Sequence, residues 1–373
     1  MLLELLNANV YAFMNVITKL ETSDLLSLCK TSHELDSFIS STTLNSWKID
    51  SFSPSQKTFL LPTNQMPSIF VADNAVVAIA EGPHVTFFSI SSGLQVSQVT
   101  VPGVRPFGKQ IEKMILTDDH LAVAVDDANR SRVLLFNRVQ LTLSYEHVLR
   151  SRGASFKLHS SLMVVGDRLG HLGFLNLSTQ GQMMFASDPR QATVHSLDCD
   201  QLKTVVICDD KILVWNNTNT IVTKVINRGT NHNDLVSQVY PIFGGTDIKL
   251  ANDIVVTPAL GADTGMEIWN INSGELVHRV EEVFLHYNLH FPILNLEYSG
   301  RSRVLLLDDI SPSIKRVFDD DMLNDIWPVD EMPVKQTFIT LFHHITLTAN
   351  YNEHGNYEAG GKTKLIVRSF CPH

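Results

Sequence analysis

Two strings constrain the fold most: Asp209-Asp210-Lys211-Ile212-Leu213-Val214-Trp215-Asn216 and Asp263-Thr264-Gly265-Met266-Glu267-Ile268-Trp269-Asn270. In each, an Asp stands six residues before a Trp, where it closes a tight turn, and apolar residues then carry a strand up to the indole. A turn-plus-strand unit that recurs along a chain points to a repeat architecture, because each unit buries its apolar face against the next.

Helical periodicity is confined to residues 1–49. Val10, Phe13, Ile17 and Leu20 recur at helical spacing, Thr22 or Ser23 can cap a second helix through Leu25, Leu28, Leu35 and Ile39, and a third short turn holds Leu44 and Trp47. Three small helices make too little core to stand alone, so this unit is expected to lean on a neighbour or a partner. Residues 50–62 are a linker, turn-rich at Asp50-Ser51-Phe52-Ser53-Pro54, that runs into Lys57-Thr58-Phe59-Leu60-Leu61, a strand with no repeat of its own. From 63 to 373, short β-rich runs alternate with Gly, Asn, Asp and Ser clusters. Seven repeats fit at 63–101, 111–149, 155–187, 193–226, 232–280, 290–326 and 334–370.

The two Trp-bearing strings resemble the ending of WD-type repeats, with Asn216 and Asn270 where the family usually has Asp. The resemblance implies a mainly β fold, a seven-bladed β-propeller with four strands per blade. The fifth repeat is the best preserved: Asn231-His232 resembles the Gly-His opening, Ile254-Val255-Val256-Thr257 follows, and Asp263 and Trp269 end it. By resemblance His232, Thr257, Asp263 and Trp269 form a structural, hydrogen-bonded tetrad that ties the strands of the blade. Phe88 and Phe136 replace the Trp in the first two repeats, and the third has Leu in Leu172-Gly173-Phe174-Leu175. The last run, Lys364 to Phe370, has no fourth strand after it, and pairing it with Lys57–Leu61 would close the ring and remove a sheet edge.

Ahead of the repeats, the run from Ala8 to Leu20, then Ser23-Asp24-Leu25-Leu26-Ser27-Leu28-Cys29-Lys30-Thr31, ending at Trp47, resembles an F-box. The family's Leu-Pro start is here Ala8-Asn9, a departure that weakens the first-helix contact. The resemblance implies a substrate receptor of a Skp-cullin-F-box ubiquitin ligase. Val10, Phe13, Ile17, Leu20, Asp24, Leu25 and Leu28 would dock a Skp-family adaptor, and through it a cullin-RING ligase, while the propeller holds a protein substrate. Such a chain performs no chemistry and supplies proximity. Two other classes stand beside it. One is a non-degradative propeller scaffold for protein–protein interaction, whose helices pack on the propeller's own bottom face. The other is a propeller enzyme with Asp126, Asp127, Asp308 or Asp309 converging on a central channel, although paired Asp at strand ends is ordinary turn chemistry.

Charge and composition narrow the partners. The net charge of −10 argues against nucleic acid, whose phosphates call for clustered Lys and Arg. Residues 100–170 nevertheless carry a net +3, and Arg105, Arg130, Arg132, Arg152 and Arg168 lie near predicted turns. They are candidates for a phosphorylated or acidic substrate, because guanidinium pairs bidentately with phosphate. Asp319, Asp320, Asp321, Asp325, Asp330 and Glu331 form an opposing acidic stretch. No cofactor or metal is expected: Gly360-Gly361-Lys362-Thr363 lacks the earlier Gly of a phosphate loop, and neither Cys29 with His33 nor His343-His344 with His354 has metal-ligand spacing. Four cysteines without paired spacing fit a reducing compartment. With no signal-like N-terminus and no apolar run near the ~20 residues that span a bilayer, a cytoplasmic or nuclear protein without a membrane partner is expected.

Overall fold

The computed structural model describes residues 2–17, 20, 22–47, 55–62, 69–104, 111–126, 130–149, 155–159, 161–167, 169–179, 183–187, 194–208, 210–228, 248–251, 253–259, 265–280, 286–290, 293–298, 301–307, 314–318, 334–340, 342–348 and 363–369. Four helices come first: α1 (Leu2–Ala8), α2 (Val10–Ile17), α3 (Thr22–Cys29) and α4 (His33–Trp47). The sequence pattern predicted three, and local capping accounts for the difference. Asn9 interrupts the first, its Oδ1 accepting the Ala12 amide at 3.0 Å as an N-cap. After Cys29, Thr31 Oγ1 donates to the Leu28 carbonyl at 2.7 Å, and Ser32 Oγ accepts the Glu34 amide at 3.2 Å to start a new helix. That helix extends through Trp47, so the expected third turn belongs to α4. No described helix is long and apolar enough to cross a membrane.

The described strands form seven four-stranded antiparallel sheets in a propeller-like array. Sheet I holds Ile69–Ala72, Val76–Glu81, His84–Ser89 and Gln95–Thr100. Sheet II holds Ile111–Leu116, His120–Asp126, Ser131–Asn137 and Thr142–Val148; sheet III holds Ser155–His159, Leu162–Gly166, His171–Asn176 and Met184–Ser187. Sheet IV holds Ser196–Cys199, Lys203–Cys208, Lys211–Asn216 and Ile221–Asn227; sheet V holds Lys249–Ala251, Ile254–Pro258, Met266–Asn270 and Glu275–Val280. Sheet VI holds His286–His290, Ile293–Tyr298, Arg301–Leu307 and Ile314–Phe318. Sheet VII holds Val334–Ile339, His343–Thr348 and Thr363–Ser369, and its fourth strand is Ser55–Leu61, paired so that Thr58 faces Ile366. The first strands of neighbouring sheets lie against one another from I through VII, and that of VII lies against that of I.

Packing explains why apolar runs, rather than strict alternation, mark these strands. Val77–Ala80, Leu121–Val125 and Val133–Phe136 are buried along their whole length because both faces meet another sheet. The apolar clusters accordingly straddle pairs of sheets: Ala78 and Phe87 of sheet I pack with Leu121 and Val123 of II, and Phe174 of III packs with Trp215 of IV. Gaps in the Trp signature are filled by position. The pairing of third and fourth strands shifts register immediately before Phe88, Phe136, Trp215, Trp269 and Leu307, a bulge at the same place in five sheets.

The residue after the aromatic then sets the turn. Asn137 Oδ1 accepts the amides of Val139 and Gln140 at 3.0 and 2.8 Å, Asn216 those of Thr218 and Asn219 at 2.8 and 3.2 Å, and Asn270 those of Asn272 and Ser273 at 2.9 and 3.0 Å. Asn can therefore replace the family's Asp, since either side chain makes this turn. Four residues after that position the backbone is left-handed at Gly93, Leu141, Thr220 and Gly274. The expected run opening at Asn231 lies outside the described residues, and the first described strand of sheet V is Lys249–Ala251.

Candidate interaction surfaces

Side-chain bonds between sheets fix which ends of the strands share a rim. Ser155 Oγ accepts the Leu197 amide at 2.9 Å, Ser196 Oγ accepts the Ile248 amide at 3.0 Å, and Asp198 Oδ2 accepts the Leu250 amide at 2.7 Å. The first strands of sheets III, IV and V therefore start level and run the same way. Asp198, only 2% exposed, also accepts its neighbour Cys199's amide at 2.8 Å and pairs with Lys157 Nζ at 2.7 Å. A buried carboxylate held by three donors is a bolt between sheets.

The turns after the first and third strands lie together on one rim. Arg138, in the third–fourth turn of sheet II, donates to Asp73 in the first–second turn of sheet I at 2.5 Å and to the Thr117 carbonyl at 2.8 Å. Lys203 reaches Asp253 at 2.7 Å between the corresponding turns of sheets IV and V. The opposite rim carries the second–third turns and the connections between sheets.

The helices sit on the first of these rims. Phe13, Ile17, Leu25 and Ile39 are fully buried in one cluster with Leu6, Leu35 and Phe342, and Phe342 comes from the first–second turn of sheet VII. Phe13 and Phe38 meet edge to face, with centroids 5.4 Å apart. Leu20 and Leu28 pack against this cluster half-buried, while Val10 is 46% exposed and Asp24 is exposed. A second contact is polar: Lys30 Nζ lies 2.5 Å from Asp118 in the first–second turn of sheet II. The Cys29 thiol is pushed up to about 12 by burial, reinforced by its hydrogen bond to Asp36, and is therefore not a nucleophile.

Sheet V contains a polar cluster that the sequence reading only half found. Thr257 and Trp269 do belong to it, but the groups that join them are Arg228 and Glu267. Arg228 Nη2 lies 2.8 Å from Glu267 Oε2 and 3.1 Å from Thr257 Oγ1, and donates to the Pro258 carbonyl; Trp269 Nε1 donates to Glu267 Oε2 at 3.1 Å. All four are buried. His232 and Asp263 lie outside the described residues. A signal was available: Glu267 is a carboxylate inside an otherwise apolar strand, two residues before Trp269, a position that only a buried partner makes tolerable. Sheet IV has Leu213 there, and its Thr204 donates instead to Asn217 Oδ1 at 2.6 Å.

Sheet VII, shared by both ends of the β region, has its own buried polar group. Arg368 donates to Gln56 Oε1, His344 Nδ1 and Thr346 Oγ1, each at 3.1 Å, and His343 Nδ1 lies 3.0 Å from Ser369 Oγ. Burial lowers His343 to about 4, and burial together with the Arg368 charge lowers His344 to about 3, so both rings are neutral. Burial also lowers Arg368, to about 10.

Of the five candidate phosphate readers, Arg105, Arg152 and Arg168 lie outside the described residues. Arg130 is exposed at the second–third turn of sheet II. Arg132 is engaged, donating to Glu146 Oε1 and to the Pro102 carbonyl, both at 3.1 Å. Among the described residues no group of three or more His, Cys, Asp or Glu could hold a metal ion.

No protein family matches the chain, and no curated protein matches it. Solved structures do. The WD40 repeats of RRP9 are 12% identical over 85% of this chain and 99% of that one, with a TM-score of 0.59. U3-55K is 12% identical over 84% and 98%, with a TM-score of 0.58. A chain of the mitotic checkpoint complex is 13% identical over 85% and 91%, with a TM-score of 0.55. At such low identity these likenesses speak for the fold alone, a WD40-like propeller.

Proposed function

We propose that this chain is a non-catalytic β-propeller scaffold for protein–protein interaction: seven blades in a closed ring, one rim covered by the N-terminal helices and the other open to a protein partner. The observation that carries this reading is the use of the helices' apolar face within the chain. Phe13, Ile17 and Leu25 have no exposed surface, and Phe342 from sheet VII completes their cluster. Groups with strongly shifted titration, His343, His344 and Arg368, are bonded to one another or to neighbouring strands, which supports a structural role. Buried cysteines outside any disulfide, Cys199 and Cys208, support a reducing setting, the cytoplasm or nucleus.

A second reading, the F-box-type receptor that docks a Skp-family adaptor and a cullin-RING ligase, is favoured by the apolar and acidic groups the helices still expose. Val10 at 46%, Val16 at 37% and Asp24 remain open on α2 and α3. An adaptor would have to use these with the edges of Leu20 and Leu28, or displace the helices from Phe342. The substrate, phosphorylated or otherwise acidic, would then meet Arg130 on the open rim.

Quantitative affinity capture of the full-length chain separates the two. The scaffold reading expects partners lost with Leu169→Asp or Arg130→Glu on the open rim, kept with Lys30→Ala, and no stoichiometric Skp-family adaptor. An adaptor retained at stoichiometry and lost with Val10→Asp would overturn it in favour of the receptor.

A further inference from the structure

The outer strands of the seven sheets differ in how they guard their edges. An outer strand presents unpaired N–H and C=O groups to solvent, and proteins blunt such edges with charge. Among the described side chains, charged ones stand on four: Glu146 in sheet II, Lys224 in IV, Glu275 and Arg279 in V, and Lys57 in VII. In sheet I the strand Gln95–Thr100 has Gln95, Ser97 and Gln98 instead. Sheet III has no charged residue within its outer strand. Its outer strand opens Met184-Phe185-Ala186, with Met184 54% and Phe185 68% exposed, and among the described residues it pairs only with His171–Asn176.

The surroundings of this strand are built to hold it open. Phe185 lies toward sheet II, its ring centroid 6.0 Å from that of His147, and Met183 beside it packs with Tyr145 in the cluster between sheets II and III. Gly173 underlies both: a Cβ there would come within 2.4 Å of Met183 Sδ and 3.4 Å of Phe185 Cε1. Among the described residues, the ionisable groups nearest the strand have partners or are held neutral. Burial lowers His147 and so keeps the ring neutral, Glu146 is paired with Arg132, and Asp167 with His171. Leu143 and Val148 on the neighbouring outer strand extend the apolar surface, 41% and 47% exposed.

We propose that the edge of Met184–Ser187 is a docking site for an extended, uncharged, apolar segment of a partner protein, which adds to sheet III as a fifth strand and packs a side chain on the exposed face of Phe185. This deepens the scaffold reading and rests on it. Main-chain bonds to the open edge supply affinity, and the exposed Met184 and Phe185 side chains supply selectivity. A flexible segment fits better than a second copy of the chain. Four residues span only about 13 Å of edge, and two such strands meeting bury far less than the ~1,200 Å² that a stable dimer needs.

Random seven-residue peptides displayed on phage, selected on the full-length chain and counter-selected on Phe185→Lys, test this directly. Phe185 is exposed, so the variant keeps the melting temperature of the parent, and Met184→Lys serves as a second such variant. The expected winners alternate apolar residues without charge. As free end-blocked peptides they lose at least about tenfold in affinity toward Phe185→Lys, and lose binding when alternate backbone amides are N-methylated. Three results would overturn the proposal: no enrichment over Phe185→Lys, equal binding by the N-methylated peptide, or a dimer of the unliganded chain that Phe185→Lys abolishes. Each of these leaves partner capture at the open rim untouched, so failure of this site and failure of the scaffold reading are separable.

Discussion

The helical segment and the sheets solve the same problem, burying apolar surface, with different redundancy. Sheets I to IV each share apolar cores with two neighbours, and polar bolts add to them, such as Asp198 between III and IV and Arg228, just past the last strand of IV, with Glu267 of V. Among the described residues the helices have one cluster, to which the sheets lend the side chain of Phe342, and one exposed ion pair to sheet II. Damage among the sheets should therefore be global, and damage at Phe342 should be local. That asymmetry makes the helices the element a partner could displace.

The sheet side of the contrast breaks hardest at Glu267. Its loss in Glu267→Ala strands the buried Arg228 guanidinium, and urea unfolding should register a loss of about 3–5 kcal/mol for the whole chain. Replacing both partners, Arg228→Met with Glu267→Leu, copies the apolar solution of Leu213 in sheet IV and should restore most of that stability. On the helical side, Phe342→Ala should cost about 3 kcal/mol, the lower end for a buried Phe. Here the loss should appear as faster hydrogen exchange in α2 to α4, with the sheet amides unchanged. A loss spread over the sheets would break the comparison.

Acid sharpens it further. His343 and His344 titrate at about 4 and about 3 in the folded chain against 6.5 when unfolded, so between these values the unfolded chain binds more protons. Their contribution is full above about pH 6.5 and is lost as pH falls toward 4 and then 3, each ring adding up to about 1.4 kcal/mol per pH unit. Denaturant midpoints from pH 7 to 4 should fall, and His343→Asn with His344→Gln should flatten the slope. Smaller still, Thr220 holds a left-handed backbone that Gly93 and Gly274 occupy in the equivalent turns. Thr220→Gly should stabilise by about 0.5–1 kcal/mol in a thermal melt. Smallest is Lys30→Ala, where an exposed pair should change stability by no more than about 0.5 kcal/mol.

What the sequence made legible follows the same division. Strands buried on both faces announce themselves as apolar runs, and the orphan strand Lys57–Leu61 with the incomplete last repeat pointed to the pairing that Ser55–Leu61 makes with Thr363–Ser369. Phe88 and Phe136 were readable as Trp replacements because the bulge before them preserves the position. The polar ties were not. Arg228 reaches Glu267 across 39 residues, a contact that no local pattern encodes, and Phe342 gives no sign in its neighbourhood that it completes a helical core. Asn9, read as a departure from a family pattern, is the cap that divides α1 from α2.

The measurement that tests the account most directly is hydrogen exchange of the full-length chain, alone and with a purified Skp-family adaptor in excess. With its apolar face already closed by Phe342, the helical segment should be protected in the free chain and unchanged by the adaptor. New protection across Val10–Leu28 on adding the adaptor, with deprotection around Phe342, would contradict the scaffold and establish the helices as an adaptor-binding element.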